Sequence, residues 1–377
     1  MTMRTAAGGA QATSNAIVLV GTTKGLFTLR SGDGRERFEL TGPTFAGEEV
    51  YATCIDTRSG ATRLFTGSVS NHWGPVLRRS DDLGATWSED EQAALRFPDD
   101  ADASLTRIWQ LAPGPGDEPD VMYAGVEPAA LFRSDDGGRS FSLVRGLWNH
   151  PHRTQWQPGG GGLCLHTVLV HPGDSNRLLI AISAAGVYRS DDGGSSWRAS
   201  NRGIVVGFVP EGEDLEFGQC VHKVARDAGD TERLYLQHHG GIYRSDDGGE
   251  AWTPMTGIAG MDFGFPVVAH PTRPSTAYLL PLESDEYRCT PNGRCVVWRT
   301  TDAGESWEPL TAGLPQHDAH LTVLRDGFTT DGHDPAGLYV GTRTGEVYAS
   351  IDDGGSWRLL AEHLPPVMSV RASPVVG

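Results

Sequence analysis

Two short patterns in the sequence pair a cysteine with a histidine two positions later, Cys164-Leu-His166 and Cys220-Val-His222. Residues two apart in an extended strand point to the same face, so each pattern predicts a thiol and an imidazole side by side. Imidazole binds zinc, copper and iron, and it also serves as a general acid or base. His166 and His222 are therefore the first candidates for metal ligands or proton carriers, and the His238-His239 pair comes next.

The connection from Ser142 to His166 is the next segment that could carry chemistry. It is 25 residues long and contains Trp148-Asn-His150-Pro-His152, followed by four glycines at 159–162. Long connections without a periodic pattern are often functional. We therefore add His150 and His152, together with His72, to the candidate metal ligands.

Charged and hydroxyl side chains complete the candidate site. Glu127 and Glu283 are candidate ligands or proton carriers, Arg107 is a candidate clamp for an anion, and Tyr51 is a candidate catalytic hydroxyl. A divalent transition metal (zinc, copper or iron) held by three or four of these groups would activate water or polarise a substrate oxygen.

An internal repeat indicates which elements position these residues. An octet of the form Ser/Thr-x-Asp-x-Gly-x-x-Trp/Phe begins six times, at intervals of 54, 56, 55, 55 and 50 residues; its first residues are Ser80, Ser134, Ser190, Ser245, Thr300 and Ser350. A decayed copy begins at Ser31 and has Arg35 in place of the glycine. Serine and aspartate bond turn N–H groups, glycine adopts positive φ, and the aromatic ring packs between sheets. The octet therefore predicts a hairpin turn that recurs once per structural unit.

The octet resembles the Asp-box, or BNR, repeat of sialidases, xyloglucanase-type glycosidases, sortilin-like receptors and photosystem assembly factors. The resemblance extends over residues 16–377. It implies that each repeat is one four-stranded blade of a β-propeller, with the octet in the turn between the third and fourth strands. Because members of this superfamily differ in function, the resemblance does not imply one activity.

We predict an all-β chain with a disordered lead at residues 1–15 and one seven-bladed propeller domain at 16–377. Three outer strands from Ile17–Phe38 and one inner strand from Pro366–Pro374 would close the seventh blade and leave no free sheet edge. The other inner strands are predicted at Tyr51–Asp56, Arg107–Ala112, His166–His171, His222–Arg226, Phe265–His270 and Leu321–Arg325.

This layout predicts that the candidate residues meet on one face of the ring. Tyr51, Arg107, His166 and His222 begin inner strands, and the remaining candidates lie in connections that open on the same face. The octet turns open on the opposite face. The two imidazoles of the Cys-x-His patterns are expected to approach one another at the mouth of the central channel.

The composition of the chain bears on its possible partners and on its location in the cell. The 48 acidic and 31 basic residues give a charge of −17, which disfavours binding of nucleic acid. The sequence contains no stretch of about 20 apolar residues for a membrane helix and no apolar run typical of a secretory signal. Five cysteines suit a reducing compartment, so we expect a cytoplasmic protein.

Three functions stay open. The preferred one is a hydrolase or lyase that acts on a small-molecule or glycan substrate at a histidine-rich metal site. The second is a metal-independent glycoside hydrolase that resembles the sialidases and uses a carboxylate pair drawn from Glu49, Glu127 and Glu283. The sequence departs from that family at Arg107-Ile-Trp109, where the family has Arg-Ile-Pro, and in its seven rather than six blades. The third is a non-catalytic scaffold for a protein partner.

Overall fold

The computed structural model describes residues 15–88, 94–206, 215–258 and 263–375. Of the lead predicted at residues 1–15, residues 1–14 lie outside this range. The described chain is almost entirely β-strand and turn, as the glycine-rich and proline-rich sequence predicts. No helix of the described segments has the length and apolar character needed to span a bilayer.

Strands form nearly all of the regular structure. In chain order they are β1 (Ala16–Thr22), β2 (Gly25–Ser31), β3 (Phe38–Thr44), β4 (Glu49–Asp56), β5 (Arg63–Ser70), β6 (Gly74–Ser80), β7 (Arg107–Pro113), β8 (Met122–Glu127), β9 (Ala130–Ser134), β10 (Ser142–Leu143), β11 (Leu165–His171), β12 (Asp174–Ile182), β13 (Gly186–Ser190), β14 (Arg198–Ala199), β15 (Val221–Arg226), β16 (Leu234–His238), β17 (Gly241–Ser245), β18 (Thr253–Pro254), β19 (Gly264–Ala269), β20 (Ala277–Pro281), β21 (Val297–Thr300), β22 (Glu308–Leu310), β23 (Phe328–Thr330), β24 (Leu338–Gly341), β25 (Val347–Ser350), β26 (Arg358–Ala361) and β27 (Val367–Pro374). A one-turn α-helix and four 3₁₀ segments accompany them: α1 (Arg145–Trp148), and Asp33–Arg35, Asp99–Ala101, Pro151–Gln155 and Pro291–Gly293.

The strands form seven antiparallel sheets, one per blade, and this confirms the seven-bladed propeller. Six sheets have four strands, ordered β27-β1-β2-β3, β7 to β10, β11 to β14, β15 to β18, β19 to β22 and β23 to β26. The seventh, β4-β5-β6, has three strands among the described residues. Beyond β6, the N–H of Ser88 donates to the carbonyl of Arg79 at 2.9 Å, so the chain follows the edge of this sheet past its third strand.

The two chain ends share the first blade, as predicted. The strand β1 pairs with β27 from Ala16 opposite Pro374 to Thr22 opposite Val367. The predicted range for the three outer strands ended at Phe38, whereas β3 begins there and continues to Thr44. The decayed octet adds an ion pair between the first and last blades, because Arg35 Nη1 lies 3.0 Å from Asp331 Oδ2.

The six complete octets form the same turn. In each, the Ser or Thr hydroxyl donates to an oxygen of the Asp two positions on, and the N–H of the octet glycine donates back to that hydroxyl. Each of these glycines has a φ between 82° and 93°, in the left-handed region that favours glycine. The octet aspartates are therefore occupied in turn structure, as their sequence pattern predicts.

One predicted inner strand is wrong. The sequence places it at Leu321–Arg325, but the inner strand of the last blade is β23, at Phe328–Thr330. Leu321 and Val323 are separated by a polar residue as in a strand, yet they lie in an irregular segment and pack into the core. The main chain of Leu321 bonds to Thr290 instead of to a second strand. As a result, Arg325 and Asp326 approach the channel from a loop and not from a strand.

Candidate functional site

A cavity of about 210 Å³ lies at the mouth of the central channel, on the face where the inner strands begin. We call it the mouth cavity. The octet turns follow the ends of the third strands, which run parallel to the inner strands, so these turns lie on the opposite face. This arrangement confirms that the octets and the starts of the inner strands lie on opposite faces.

β-Bulges aim side chains into this cavity. In six inner strands the pairing register slips near the first residues and leaves a residue without a cross-strand partner; these residues are Tyr51, Trp109, His166, His222, Phe265 and Met368. All of them except His166 line the mouth cavity. A bulge bends its strand and re-aims a side chain, and bulges are common beside binding sites. Thus one irregularity, repeated around the ring, supplies five of the 15 residues that line the cavity.

Three potential metal ligands converge on one side of the mouth cavity. One ligand atom from each of Cys220, His222 and His239 lies within 4.8 Å of the other two. Cys220 Sγ is 3.7 Å from His222 Nε2, and the two imidazole centroids are 5.7 Å apart. The bulge in β15 positions His222, while the end of β16 brings His239 opposite it. Of the imidazoles predicted to meet at the channel mouth, His222 and His239 converge here, with the thiol of Cys220 as the third member, and His166 does not belong to this group.

The environment of His222 fixes which ring nitrogen is free. Its Nδ1 lies 2.6 Å from the carbonyl oxygen of Gly264, in the next blade. A carbonyl oxygen only accepts hydrogen bonds, so Nδ1 carries the proton and Nε2 keeps its lone pair. Burial lowers the pKa of His222 to about 3, which keeps the ring neutral. A metal-bound histidine ordinarily shows this arrangement, with the second nitrogen bonded to a carbonyl or carboxylate.

His166 occupies the equivalent position one blade earlier but differs in its bonding. Its Nε2 lies 3.0 Å from the carbonyl oxygen of Val221, and its Nδ1 lies 3.0 Å from the hydroxyl of Thr167. Both ring nitrogens therefore have protein partners, and the side chain is fully buried. His166 is therefore not one of the converging ligands, because its imidazole ties the blade of β11 to the blade of β15 instead.

The opposite wall contains a second chemically organised group. The phenol of Tyr51 donates to Glu49 Oε2 at 2.7 Å, and the guanidinium of Arg107 lies 3.9 Å from the centre of the Tyr51 ring. Behind them, Glu127 accepts a 3.0 Å bond from the indole of Trp109 and lies 3.5 Å from Arg107. Burial and the bond to Glu49 raise the pKa of Tyr51 to about 12. The phenol is therefore held in its protonated form.

Sequence reasoning missed two guanidinium groups and a carboxylate on the cavity wall. Arg288, Arg325 and Asp326 all line the mouth cavity. Arg325 has a buried Nε without a hydrogen-bond partner, and its Nη1 lies 3.8 Å from the thiol of Cys164. Arg325 was missed as a site residue because the sequence was predicted to form an inner strand at Leu321–Arg325. The charge of Arg325 was the signal that could have identified it, because a buried inner strand rarely contains an unpaired arginine.

The other predicted site residues lie elsewhere. His72 and Glu283 are exposed. His238 is buried, with its Nδ1 accepting from the N–H of Gly240, and it does not line the cavity. The rings of His150 and His152 pack at 4.5 Å beside Tyr188, away from the cavity wall.

A second group of possible ligands, formed by His270, Asp334 and Asp353, already has a cation. Arg273 lies 2.6 Å from Asp353 and 2.5 Å from Asp334, and His270 Nε2 is 3.0 Å from Asp353. The positive charge of the Arg273 guanidinium would repel a metal ion at this position. We interpret this group as a structural ion pair.

Comparison with solved structures supports the fold. No protein-family model and no curated protein matches the sequence. The chain is similar to YCF48 bound to D1 peptide, with 12% identity over 92% of this chain and 85% of that chain and a TM-score of 0.50. It is more distantly similar to a GH74 xyloglucanase from Xanthomonas campestris, with 15% identity, 91% and 53% coverage and a TM-score of 0.36. A third match is PorZ of Porphyromonas gingivalis, at 13% identity, 86% and 38% coverage and a TM-score of 0.44.

Proposed function

We propose that the mouth cavity is a metal-dependent active site for hydrolysis or elimination on a small polar molecule. The observation that carries this proposal is the convergence of Cys220, His222 and His239, with His222 oriented by the Gly264 carbonyl. Three protein ligands with a position left for water or substrate are typical of catalytic zinc sites. A thiolate with two imidazoles suits zinc or copper better than magnesium or calcium.

The cavity residues support this chemistry in separate ways. A bound metal would supply a Lewis acid and an activated water. Arg288 and Arg325 would hold an anionic or strongly polar group of the substrate. The rings of Trp109 and Phe265 provide flat apolar surfaces for its body. Asp285, whose Oδ2 is 3.4 Å from His239 Nε2, would orient that imidazole.

Metal analysis of untagged protein tests the proposal. We expect about one equivalent of zinc or copper, and we expect cobalt(II) to give the charge-transfer absorption of a cobalt–thiolate bond. Cys220→Ala should abolish that absorption and the bound metal. Cys164→Ala is the matched control, because Cys164 occupies the equivalent position one blade earlier but lies outside the cluster. Wild-type metal content in Cys220→Ala would refute the proposal.

A metal-independent glycoside hydrolase is the second candidate, and the Tyr51–Glu49 hydrogen bond favours it. Glu49 would accept the phenol proton as Tyr51 attacks the anomeric carbon of a glycoside and the bond to the aglycone breaks, with Trp109 stacking on the sugar ring. An aryl aglycone would leave as a phenolate that takes a proton from water, and a second water would then hydrolyse the glycosyl–tyrosine bond and return the proton to Tyr51. If this candidate is correct, metal-depleted protein should hydrolyse aryl glycosides, and Tyr51→Phe should abolish turnover. Turnover that disappears with the metal and returns when the metal is added would exclude it.

A further inference from the structure

The opposite end of the channel contains a larger cavity of about 660 Å³, which we call the wide cavity. Its wall is formed by the second halves of the inner strands, on the face of the octet turns. The three charged side chains on its described wall are all basic, namely Lys223, Arg226 and Arg371, and no carboxylate lines it. This sign is opposite to the charge of −17 carried by the whole sequence.

The basic groups are only partly neutralised by the residues behind them. Lys223 Nζ and Arg371 Nη2 both bond to Asp326 Oδ1, at 2.7 and 2.6 Å. Among the described residues, no other carboxylate lies within 4.0 Å of either cation, and none lies that close to Arg325. Lys223 and Arg371 thus share one acid and Arg325 has no described carboxylate within that distance, so these three cations exceed the single carboxylate by two positive charges.

An excess of positive charge in a protein interior is costly unless an anion compensates it. An ammonium group has three donors and a guanidinium has five, so one bond each to Asp326 leaves most donors of Lys223 and Arg371 available. These donors border a cavity open to solvent. We propose that the wide cavity binds a small oxyanion, of the phosphate or dicarboxylate class, against Lys223 and Arg371. This site is separate from the proposed active site at the mouth.

Calorimetric titration of the full chain tests this inference. The probes are inorganic phosphate and malonate, each added to protein in a buffer without oxyanions at matched ionic strength. We expect saturable binding of at least one probe, and the stronger of the two identifies the ligand class. Arg371→Gln should weaken it at least tenfold, while the exposed control Arg294→Gln should leave it unchanged. Arg371→Gln is expected to fold, because Asp326 keeps its bond to Lys223.

Two results would overturn the inference. One is the absence of saturable binding of both probes by the wild-type chain. The other is binding that survives Arg371→Gln but is lost in Arg325→Gln, since Arg325 lines the mouth cavity and not the wide one. Metal content serves as an independent readout. If Arg371→Gln loses oxyanion binding but keeps its metal, the two ends of the channel act separately.

Discussion

Replacing His166 and His239 one at a time tests whether His166 is structural and whether His239 is a ligand of the proposed metal. The two residues are similar in the sequence, since both belong to the predicted histidine cluster. In the structure, His166 has both ring nitrogens hydrogen-bonded, whereas His239 joins Cys220 and His222 at the cavity. We therefore expect His166→Ala to lose stability and keep metal, and His239→Ala to keep stability and lose metal.

The magnitudes follow from the contacts. His166→Ala leaves a buried carbonyl and a buried hydroxyl without partners, and each costs about 1–3 kcal/mol. We therefore expect the free energy of unfolding to fall by about 3 kcal/mol. With about 2.1 cal/mol/K per residue, the 377 residues give an unfolding entropy of about 0.8 kcal/mol/K. The Tm should then fall by about 4 °C. The His239 side chain is 43% exposed, so its replacement should move Tm by about 1 °C or less, while metal affinity should fall more than about 100-fold.

Differential scanning calorimetry and metal analysis of the untagged variants check both expectations. Calorimetry is performed on chelator-treated protein, because a metal that binds only the folded state would itself raise Tm. The reasoning is refuted if His239→Ala retains the wild-type metal content. It is also refuted if His166→Ala loses the metal while its Tm matches that of the wild-type chain.

Three further predictions concern the turns and the channel. Ser134→Ala should cost about 1–2 kcal/mol in chemical denaturation, because the buried N–H of Gly138 loses its acceptor; an unchanged midpoint would contradict this. Bonds from the hydroxyl and N–H four positions on lower the pKa of Asp192 to about 2 from 3.8. The contribution of the ionised Asp192 to stability is therefore full above about pH 4 and should disappear as the pH falls toward 2. Asp192→Asn should then flatten the acid branch of a curve of stability against pH, monitored by fluorescence. An identical slope in the variant would count against this. Asp326→Asn should cost about 3 kcal/mol, because it leaves the buried Lys223 and the partly buried Arg371 without a carboxylate. Phosphate should restore part of the lost Tm; no difference between buffers with and without phosphate would contradict the oxyanion site.

The ring architecture was predictable because it depends on a local signal repeated many times. Each octet specifies its turn through a hydroxyl, a carboxylate and a glycine that are close in sequence. Six complete copies and one decayed copy at nearly constant spacing therefore indicate seven blades and the face on which the turns lie. The shared blade also followed, because Ile17–Phe38 and Pro366–Pro374 were the segments left over, and an open ring would expose sheet edges.

The site was only partly predictable, for two physical reasons. Alternation along a strand indicates which residues share a face, but it does not reveal the bulges that aim side chains into the cavity. His166 and His222 both lie at such bulges, so they looked equivalent in the sequence. The two histidines differ in which ring nitrogen bonds to a carbonyl oxygen of the next blade, Nε2 in His166 and Nδ1 in His222. These contacts join residues about 40 to 55 positions apart, so the sequence pattern does not show them. Arg325 was missed because an apolar alternation at Leu321 and Val323 imitates a strand.

The bulges also explain how a single ring supports different chemistry at its two ends. Without a bulge, each inner strand would turn alternate side chains toward its two neighbouring blades, where only packing is required. The extra residue interrupts that alternation at the mouth and directs a side chain into the mouth cavity in five of the blades, so that His222 faces this cavity while the next residue, Lys223, borders the wide one. Asp326 then lies where these two environments meet. Because it is bonded to Lys223 and Arg371 from one side and lines the mouth cavity on the other, we expect a change in charge at either end of the channel to alter the electrostatic potential at this carboxylate.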